Sequence, residues 1–184
     1  MDREVLSGVV ALGGKGLEAE DRVIRGYVAA RGESGGILRR QDERYYQHVV
    51  WRSVLARWNA LLERNPLGAG KQIDLEVMND GTPHYFEMEC WLSKSGKREL
   101  KGIRTDVEMV GRRPNGYMLV FSANPPGTTK ENLAWLESQH RNPGEAQSAG
   151  PGLREDSREI HMFLTQDAKG DEVEFWIAGW AITV

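Results

Sequence analysis

Apolar and polar positions alternate with a two-residue period near the middle of the chain. In residues 73–91 the apolar Ile, Leu, Val, Phe, Met and Cys interleave with acidic and other polar side chains. This period predicts β-strands, because successive strand side chains point to opposite faces of a sheet. The Asn-Asp-Gly-Thr sequence at 79–82 favours a tight turn. The segment is therefore predicted to be a β-hairpin.

Apolar spacing of three or four residues predicts helices elsewhere in the chain. The segments with this spacing are 17–31, 42–63, 98–110 and 128–139. Asp42 is a suitable capping residue for the second and longest helix. Thr128, with Glu131 three residues later, forms a capping-box sequence for the last one.

Three more segments have the length and apolar content of strands. Residues 116–123 form a nearly continuous apolar run, which predicts a strand covered on both faces. Residues 158–165 and 172–182 flank a turn and predict two final strands. Helices and strands in this order predict an α/β (α+β) fold with a central mixed β-sheet flanked by helices.

The chain is predicted to form a single domain over residues 1–184. Residues 1–41 are Gly-rich and weakly patterned, and we expect them to be an N-terminal helical extension. The Pro-, Gly- and Ser-containing segment 140–157 predicts a mobile loop. The final strands give a C-terminal β-hairpin at 158–184.

The amino-acid composition is typical of a globular protein and bears on its compartment and partners. Hydrophobic content of 40% and charged content of 28% are ordinary for a globular domain. The single cysteine, Cys90, excludes an internal disulfide and fits a reducing compartment. The N-terminus does not resemble a signal peptide, and no segment has the ~20 apolar residues that cross a bilayer. We therefore expect a cytoplasmic protein without a membrane partner. The net charge of −3 does not by itself indicate a nucleic-acid-binding protein.

Acidic residues on the predicted hairpin are the main candidates for chemistry. Asp74 and Glu76 lie on one face of the first strand, and Glu87 and Glu89 on one face of the second. Close carboxylates repel one another, and a bound Mg²⁺ would remove that repulsion while using the hard oxygen ligands it prefers. The alternative is a solvated sheet face, which the same alternation also produces.

The order of these elements resembles the PD-(D/E)XK nuclease superfamily, whose fold is called restriction-endonuclease-like. A helix carrying Glu comes first, then a strand with Asp, a strand with Glu-x-(Lys or Glu), an amphipathic helix and an apolar strand. The matching segments are 42–47, 72–77, 85–91, 98–110 and 116–123. The resemblance therefore covers a nuclease-like core at 42–123, and the two ends of the chain lie outside it.

The resemblance implies a metal-dependent DNA endonuclease that hydrolyses phosphodiester bonds. Asp74 and Glu87 correspond to the family's metal-binding acids. Glu43, with Gln47 one turn later, corresponds to the additional acidic residue that some members use. The implied cofactor is Mg²⁺, with Mn²⁺ as a substitute, and the implied partner is DNA. Many relatives act as dimers, so a homodimer is also implied.

Glu89 departs from the family pattern, because a catalytic lysine normally stands at this position. With Asp74 and Glu87 it would complete a catalytic set, acting as the base or as a further metal ligand. Alternatively, Lys94 or Lys101 supplies the missing cation. A third alternative is an inactive site, in which case the protein is a nucleic-acid-binding or protein-interaction module. A smaller departure is Ile73, which stands where many relatives have proline.

Basic residues follow the acidic strand closely and are candidates for phosphate binding. They are Lys94, Lys97, Lys101 and Arg104. Three of them share one predicted helix face, opposite the apolar stripe, where they would contact a phosphate backbone. The alternative is an ordinary solvated helix face.

The four histidines lack the spacing of a zinc site. Trp91 is predicted on the carboxylate side, where it would be available for base stacking.

Overall fold

The chain forms a mixed β-sheet with helices on both faces. In this computed structural model, the described residues are 2–40, 42–64, 72–92, 97–139 and 151–182. The strands are β1 (Asn59–Arg64), β2 (Ile73–Asn79), β3 (Thr82–Trp91), β4 (Gly116–Asn124), β5 (Arg158–Gln166) and β6 (Glu172–Ile182). The helices are α1 (Arg3–Ala29), α2 (Glu43–Val54), α3 (Lys97–Val110) and α4 (Thr129–Ser138). Short 3₁₀ helices occur at Ile37–Arg40 and Glu155–Ser157.

The six strands lie in the order β1-β2-β3-β4-β6-β5. All neighbours are antiparallel except β3 and β4, which are parallel and are joined through α3. A parallel pair needs such a crossover connection, and an amphipathic helix is its usual form. The predicted α+β class, with a mixed sheet flanked by helices, is confirmed.

Two hydrophobic clusters cover the two faces of the sheet. Helices α1 and α2 pack on one face, against side chains that include Leu75, Phe86 and Phe121. Helices α3 and α4 pack on the other face, against Val120 and Trp176 among others. Strand β4 is buried over nearly its whole length, as its continuous apolar run predicted.

The hairpin of β2 and β3 also confirms its prediction. Asn79 pairs with Thr82, so the loop has two residues. Both loop residues, Asp80 and Gly81, have positive φ. This conformation matches the twist of the strands and fixes their register. The same register places the acidic residues of the two strands on one face.

The helix predicted at 42–63 is wrong in its second half. Asp42 accepts a hydrogen bond from Arg44 N at 3.0 Å, as expected of a cap, but α2 ends at Val54. Residues Asn59–Arg64 form β1 and pair with β2. Apolar residues in this segment fit the strand period as well as the helix period, and pairing with a hydrophobic neighbour overrides weak helix propensity.

The helix predicted at 17–31 is only part of α1, which spans Arg3–Ala29. Four of its five glycines permit close packing against neighbouring elements. A Cβ at Gly14 would lie 2.3 Å from the His161 ring, and one at Gly16 would lie 2.0 Å from Ser53 Oγ. Because α1 packs on α2, β5 and β6, it is integral to the core.

The remaining elements differ from their predictions in detail. Helix α4 starts after Thr128 as expected, but the capping box is wrong, because the Thr128 side chain makes no capping hydrogen bond; its hydroxyl donates to Pro125 O at 2.8 Å. Of the predicted loop, residues 140–150 lie outside the described residues. The rest includes the buried Leu153 and a turn of 3₁₀ helix. In the described part of the chain, every helix is too short or too polar to cross a membrane.

Candidate metal centre

The predicted acids meet where strands β2 and β3 separate. The last registered pair of this ladder is Leu75 opposite Phe86. Asp74 precedes Leu75 on β2, and Glu87 follows Phe86 on β3. Leu75 and Phe86 point into the cluster covered by α1 and α2, so Asp74 and Glu87 point to the other face, which α3 covers. A ladder that ends leaves backbone N–H groups without strand partners. Here carboxylate side chains accept hydrogen bonds from backbone N–H groups of β3 that are no longer paired with β2.

Asp74 and Glu87 form the first hydrogen-bonded pair. Asp74 Oδ2 accepts from Met88 N at 2.7 Å. Glu87, whose carboxyl binds its proton more tightly, donates to Asp74. Only 3% of the Glu87 surface is exposed. Its Oε1 is buried and has no hydrogen-bond partner among the described residues. A buried oxygen without a partner is costly, so this atom is available to a ligand.

Glu43 and Glu89 form the second pair. Glu43, at the start of α2, reaches the end of β3, where its Oε2 accepts from Cys90 N at 3.2 Å. Its Oε1 accepts from Gln47 Nε2 at 3.2 Å, one helical turn away. Glu89 donates to Glu43. The structure therefore places four of the five predicted carboxylates, from α2, β2 and β3, in two pairs whose charges affect one another. The fifth, Glu76, lies opposite Tyr85 in the paired part of the hairpin.

Burial raises the pKa of every one of these acids, and repulsion from other members of the set raises it further for Glu43, Glu87 and Glu89. Burial, with the Asp74 charge next in importance, raises the pKa of Glu87 to about 10. Burial, with the Glu43 charge, raises that of Glu89 to about 8. Burial also raises the pKa of Asp74 and of Glu43. Each pair is therefore expected to hold a proton at neutral pH, which replaces the cation that would otherwise offset the repulsion.

The four carboxyl groups offer oxygen ligands that suit a hard divalent cation, although they are hydrogen-bonded to one another in two pairs. Within the described ranges, no three acidic, histidine or cysteine side chains converge as a ligand group. The pairs Asp74–Glu87 and Glu43–Glu89 instead share protons. Carboxylate oxygens are the ligands that Mg²⁺ and Mn²⁺ prefer, and the unpartnered Glu87 Oε1 is a vacant acceptor among them. Cation binding at this set must release those protons.

Three charged residues near the site were not among its predicted members. The charge of Asp106 raises the pKa of both Glu87 and Glu89, and that of Glu63 raises the pKa of Asp74. Arg113, beyond the end of α3, lowers the pKa of Glu87. Its guanidinium lies 5.3 Å from the centre of the Tyr85 ring.

Asp106 lies on the side of α3 that faces the carboxylates. A Cβ at Gly102 would lie 2.8 Å from Glu89 Oε2, so this side of α3 faces the carboxylates. Asp106 follows Gly102 by four residues, which places both on the same helix face. The sequence alone did not show which face of α3 meets the acids.

The predicted basic cluster lies partly outside the described residues. Lys94 is outside them, and so is the side chain of Lys97. Lys101 and Arg104 are exposed on α3. Arg104 donates to Gln139 O at 2.8 Å, at the end of α4, and not to the carboxylates.

Trp91 continues the carboxylate face of β3, as the alternation predicted. It stacks on Trp135 with ring centres 5.4 Å apart and meets the edge of Trp176.

Comparisons with protein-family models, curated proteins and solved structures each found no match for this chain. Its function is therefore inferred from the residues themselves.

Proposed function

We propose that this protein is a magnesium-dependent endonuclease of the restriction-endonuclease-like type, which hydrolyses phosphodiester bonds in DNA. The observation that carries the proposal is the buried Glu87 Oε1, which lacks a partner inside a cluster of four carboxyl groups. The order of elements from α2 to β4 supports the proposal, because it contains the order expected of the PD-(D/E)XK superfamily, with the strand β1 added between α2 and β2.

Asp74, Glu87 and Glu43 would hold the metal ion, which is Mg²⁺ or, in its place, Mn²⁺. A bound Mg²⁺ supplies a water of lowered pKa and neutralises charge that develops on the phosphate. Glu89 completes the site as a proton acceptor or as a further ligand. Its pKa of about 8 lies close to neutral pH, where a general acid–base group works best.

Arg113 is the described cation that affects the acids directly, since it lowers the pKa of Glu87. We assign to it part of the role of the lysine that Glu89 replaces. A guanidinium is permanently charged and matches the geometry of a phosphate. Lys94, Lys97, Lys101 and Arg104 would contact phosphates further along the strand, in a salt-dependent manner.

The wider setting follows from the same proposal. DNA is the expected partner, and a homodimer is expected from the family resemblance. The cytoplasm is the expected compartment, because the only cysteine, Cys90, is a free thiol.

A plasmid-cleavage assay tests the function. Supercoiled plasmid is incubated with the wild-type protein in Mg²⁺, in Mn²⁺ and in EDTA. Nicked or linear product is expected only with a divalent cation, and Glu87→Gln should abolish it. Glu108→Gln, which removes an exposed acid from α3, is the matched control and should cleave like the wild type. Cleavage by Glu87→Gln at the wild-type rate would exclude this site.

A non-catalytic nucleic-acid-binding or protein-interaction module is the second candidate. The proton-sharing pairs favour it, because they satisfy most of the buried carboxyl groups without a cation. This alternative predicts DNA binding in EDTA that Mg²⁺ neither strengthens nor converts to cleavage. A gel-shift assay beside the cleavage assay distinguishes the two candidates.

A further inference from the structure

A groove of about 1040 Å³ opens at the carboxyl ends of β3 and β4. Its lining includes Trp91, Ser122, Asn124, Asn132, Arg39 and Lys169. Ligands of open α/β sheets bind at the carboxyl ends of parallel strands, because loops diverge there and leave a crevice. The volume is sufficient for a ligand of small-molecule size.

The groove adjoins the carboxylate cluster through strand β3. Trp91 follows Glu89 by two residues, so both point to the same face, about 7 Å apart along the strand. The stack on Trp135 and the edge contact with Trp176 hold the Trp91 ring in place. A fixed indole beside a phosphodiester-cleaving site is suited to stacking on the base next to the scissile phosphate.

Polar groups on the groove wall are placed to contact the edge of a base. Asn124 Oδ1 accepts from Asn132 Nδ2 at 2.7 Å. The Nδ2 of Asn124 is buried and has no hydrogen-bond partner among the described residues. Buried amide donors are usually paired, so this one indicates a missing acceptor. Base edges carry such acceptors.

Two cations, Arg39 and Lys169, also line the groove. Lys169 is exposed in the turn between β5 and β6, and Arg39 donates to Glu33 at 2.6 Å. Asp167 is the acidic residue beside them. An indole, an amide pair and a lysine in one groove match a nucleobase together with its phosphate.

We propose that this groove binds an unpaired nucleobase of the strand whose phosphate lies at the carboxylate cluster. This inference rests on the proposed nuclease function, and it names the substrate as nucleic acid with a single-stranded segment at the site. A base inside a duplex is covered by its neighbours and reaches such a groove only after unpairing, which costs free energy. Single strands therefore bind more tightly than duplexes.

Fluorescence anisotropy measures this preference directly. The Glu87→Gln protein in EDTA, which does not cleave, is titrated into a labelled single-stranded DNA, the matching RNA and a DNA duplex of equal length. We expect at least tenfold tighter binding of a single strand than of the duplex. The DNA and RNA arms show which sugar is preferred, and binding of either one supports the groove.

Two variants added to the same protein locate the binding. Trp91→Leu is expected to weaken single-strand binding about tenfold, the scale of one base stack. Lys169→Glu, in an exposed turn that tolerates substitution, is expected to weaken it about fivefold. Lys130→Glu makes the same charge change at an exposed position outside the lining and should bind unchanged. Circular dichroism checks the fold of each variant.

Failure of this inference and failure of the nuclease function give different results. Equal binding of duplex and single strand, or Lys169→Glu behaving like Lys130→Glu, overturns the groove even if the wild type cleaves plasmid. Tight single-strand binding that depends on Lys169 and Trp91 upholds the groove even if no cation supports cleavage.

Discussion

The carboxyl group of Glu87 donates a hydrogen bond to Asp74 across the point where strands β2 and β3 separate. Asp74 in turn accepts from the backbone of Met88, in the position that a paired strand would have filled. The pairing of β2 with β3 thus ends beside these acids. The end of this pairing is the place where we expect the cation and the reacting phosphate.

Without a divalent cation, the stability of the protein should fall as pH rises from about 4.5 to about 10. A carboxyl group whose pKa is raised by folding stabilises the folded state below its unfolded pKa, and this contribution is lost as pH rises through the folded value. The folded values are about 8 for Glu89 and about 10 for Glu87, against an ordinary value of 4.5. Thermal unfolding in EDTA between pH 5.5 and 9.5 measures the decline.

The Glu87→Gln variant is the control for this pH dependence. Its amide is neutral throughout, so its melting temperature should fall less steeply with pH than that of the wild type. Mg²⁺ should stabilise the wild type more at pH 9 than at pH 6, because cation binding displaces the shared protons. Identical pH profiles for the two proteins would show that Glu87 does not titrate as described.

Gly102→Ala should separate stability from activity. Alanine favours a helix over glycine by about 0.5–1 kcal/mol, so α3 itself is stabilised. The new Cβ would lie 2.8 Å from Glu89 Oε2 and must displace the tip of that side chain. We expect stability to be unchanged or slightly raised and cleavage to fall about tenfold. Gly26→Ala in α1, which meets nothing within 4 Å, should stabilise the protein without loss of activity.

Arg113→Gln should make catalysis depend on more alkaline pH. The guanidinium lowers the pKa of Glu87, so its removal raises that pKa further and makes the carboxylate harder to form. The cleavage rate at neutral pH should fall at least tenfold and recover in part at higher pH. Arg112→Gln removes an exposed charge from the same turn and is the comparison. Equal losses in both variants would assign the effect to general electrostatics.

Glu137 is a buried acid with a structural role, distinct from the candidate metal centre. It accepts from Arg158 Nη1 at 2.7 Å and from Trp180 Nε1 at 3.0 Å, and only 2% of its surface is exposed. Glu137→Ala leaves Arg158 without its buried partner and should cost about 3–5 kcal/mol in free energy of unfolding. Glu131→Ala, at an exposed position of α4, should cost less than about 1 kcal/mol. Urea denaturation measures both.

The hairpin and its acids were predictable because two local signals agree. Strict alternation in 73–91 identifies the strands, and the two-residue turn at Asp80 and Gly81 fixes which residues face each other. The contact between Glu43 and Glu89 was harder to predict. It joins a helix to a strand across 46 positions, and only the family resemblance suggested it.

Other features depend on packing that local patterns do not encode. Nothing within 55–64 marks the change from helix to strand; pairing with β2 decides it. Gly16 lowers the helix propensity of α1, yet the close approach of Ser53 requires a glycine at this position. The effect of Asp106 on the acids was not predicted, because the rotation of α3 relative to the sheet is a tertiary property.

A calorimetric titration of Mn²⁺ into the wild-type protein and the Glu87→Gln variant at pH 8.5 tests the central claim most directly. If the carboxylates of Asp74, Glu87 and Glu43 form one cation site, the wild type should bind Mn²⁺ with release of protons, seen as heat that changes with the ionisation enthalpy of the buffer. Glu87→Gln should bind at least tenfold more weakly. Equal affinity in the two proteins, or no binding by the wild type, would contradict the account.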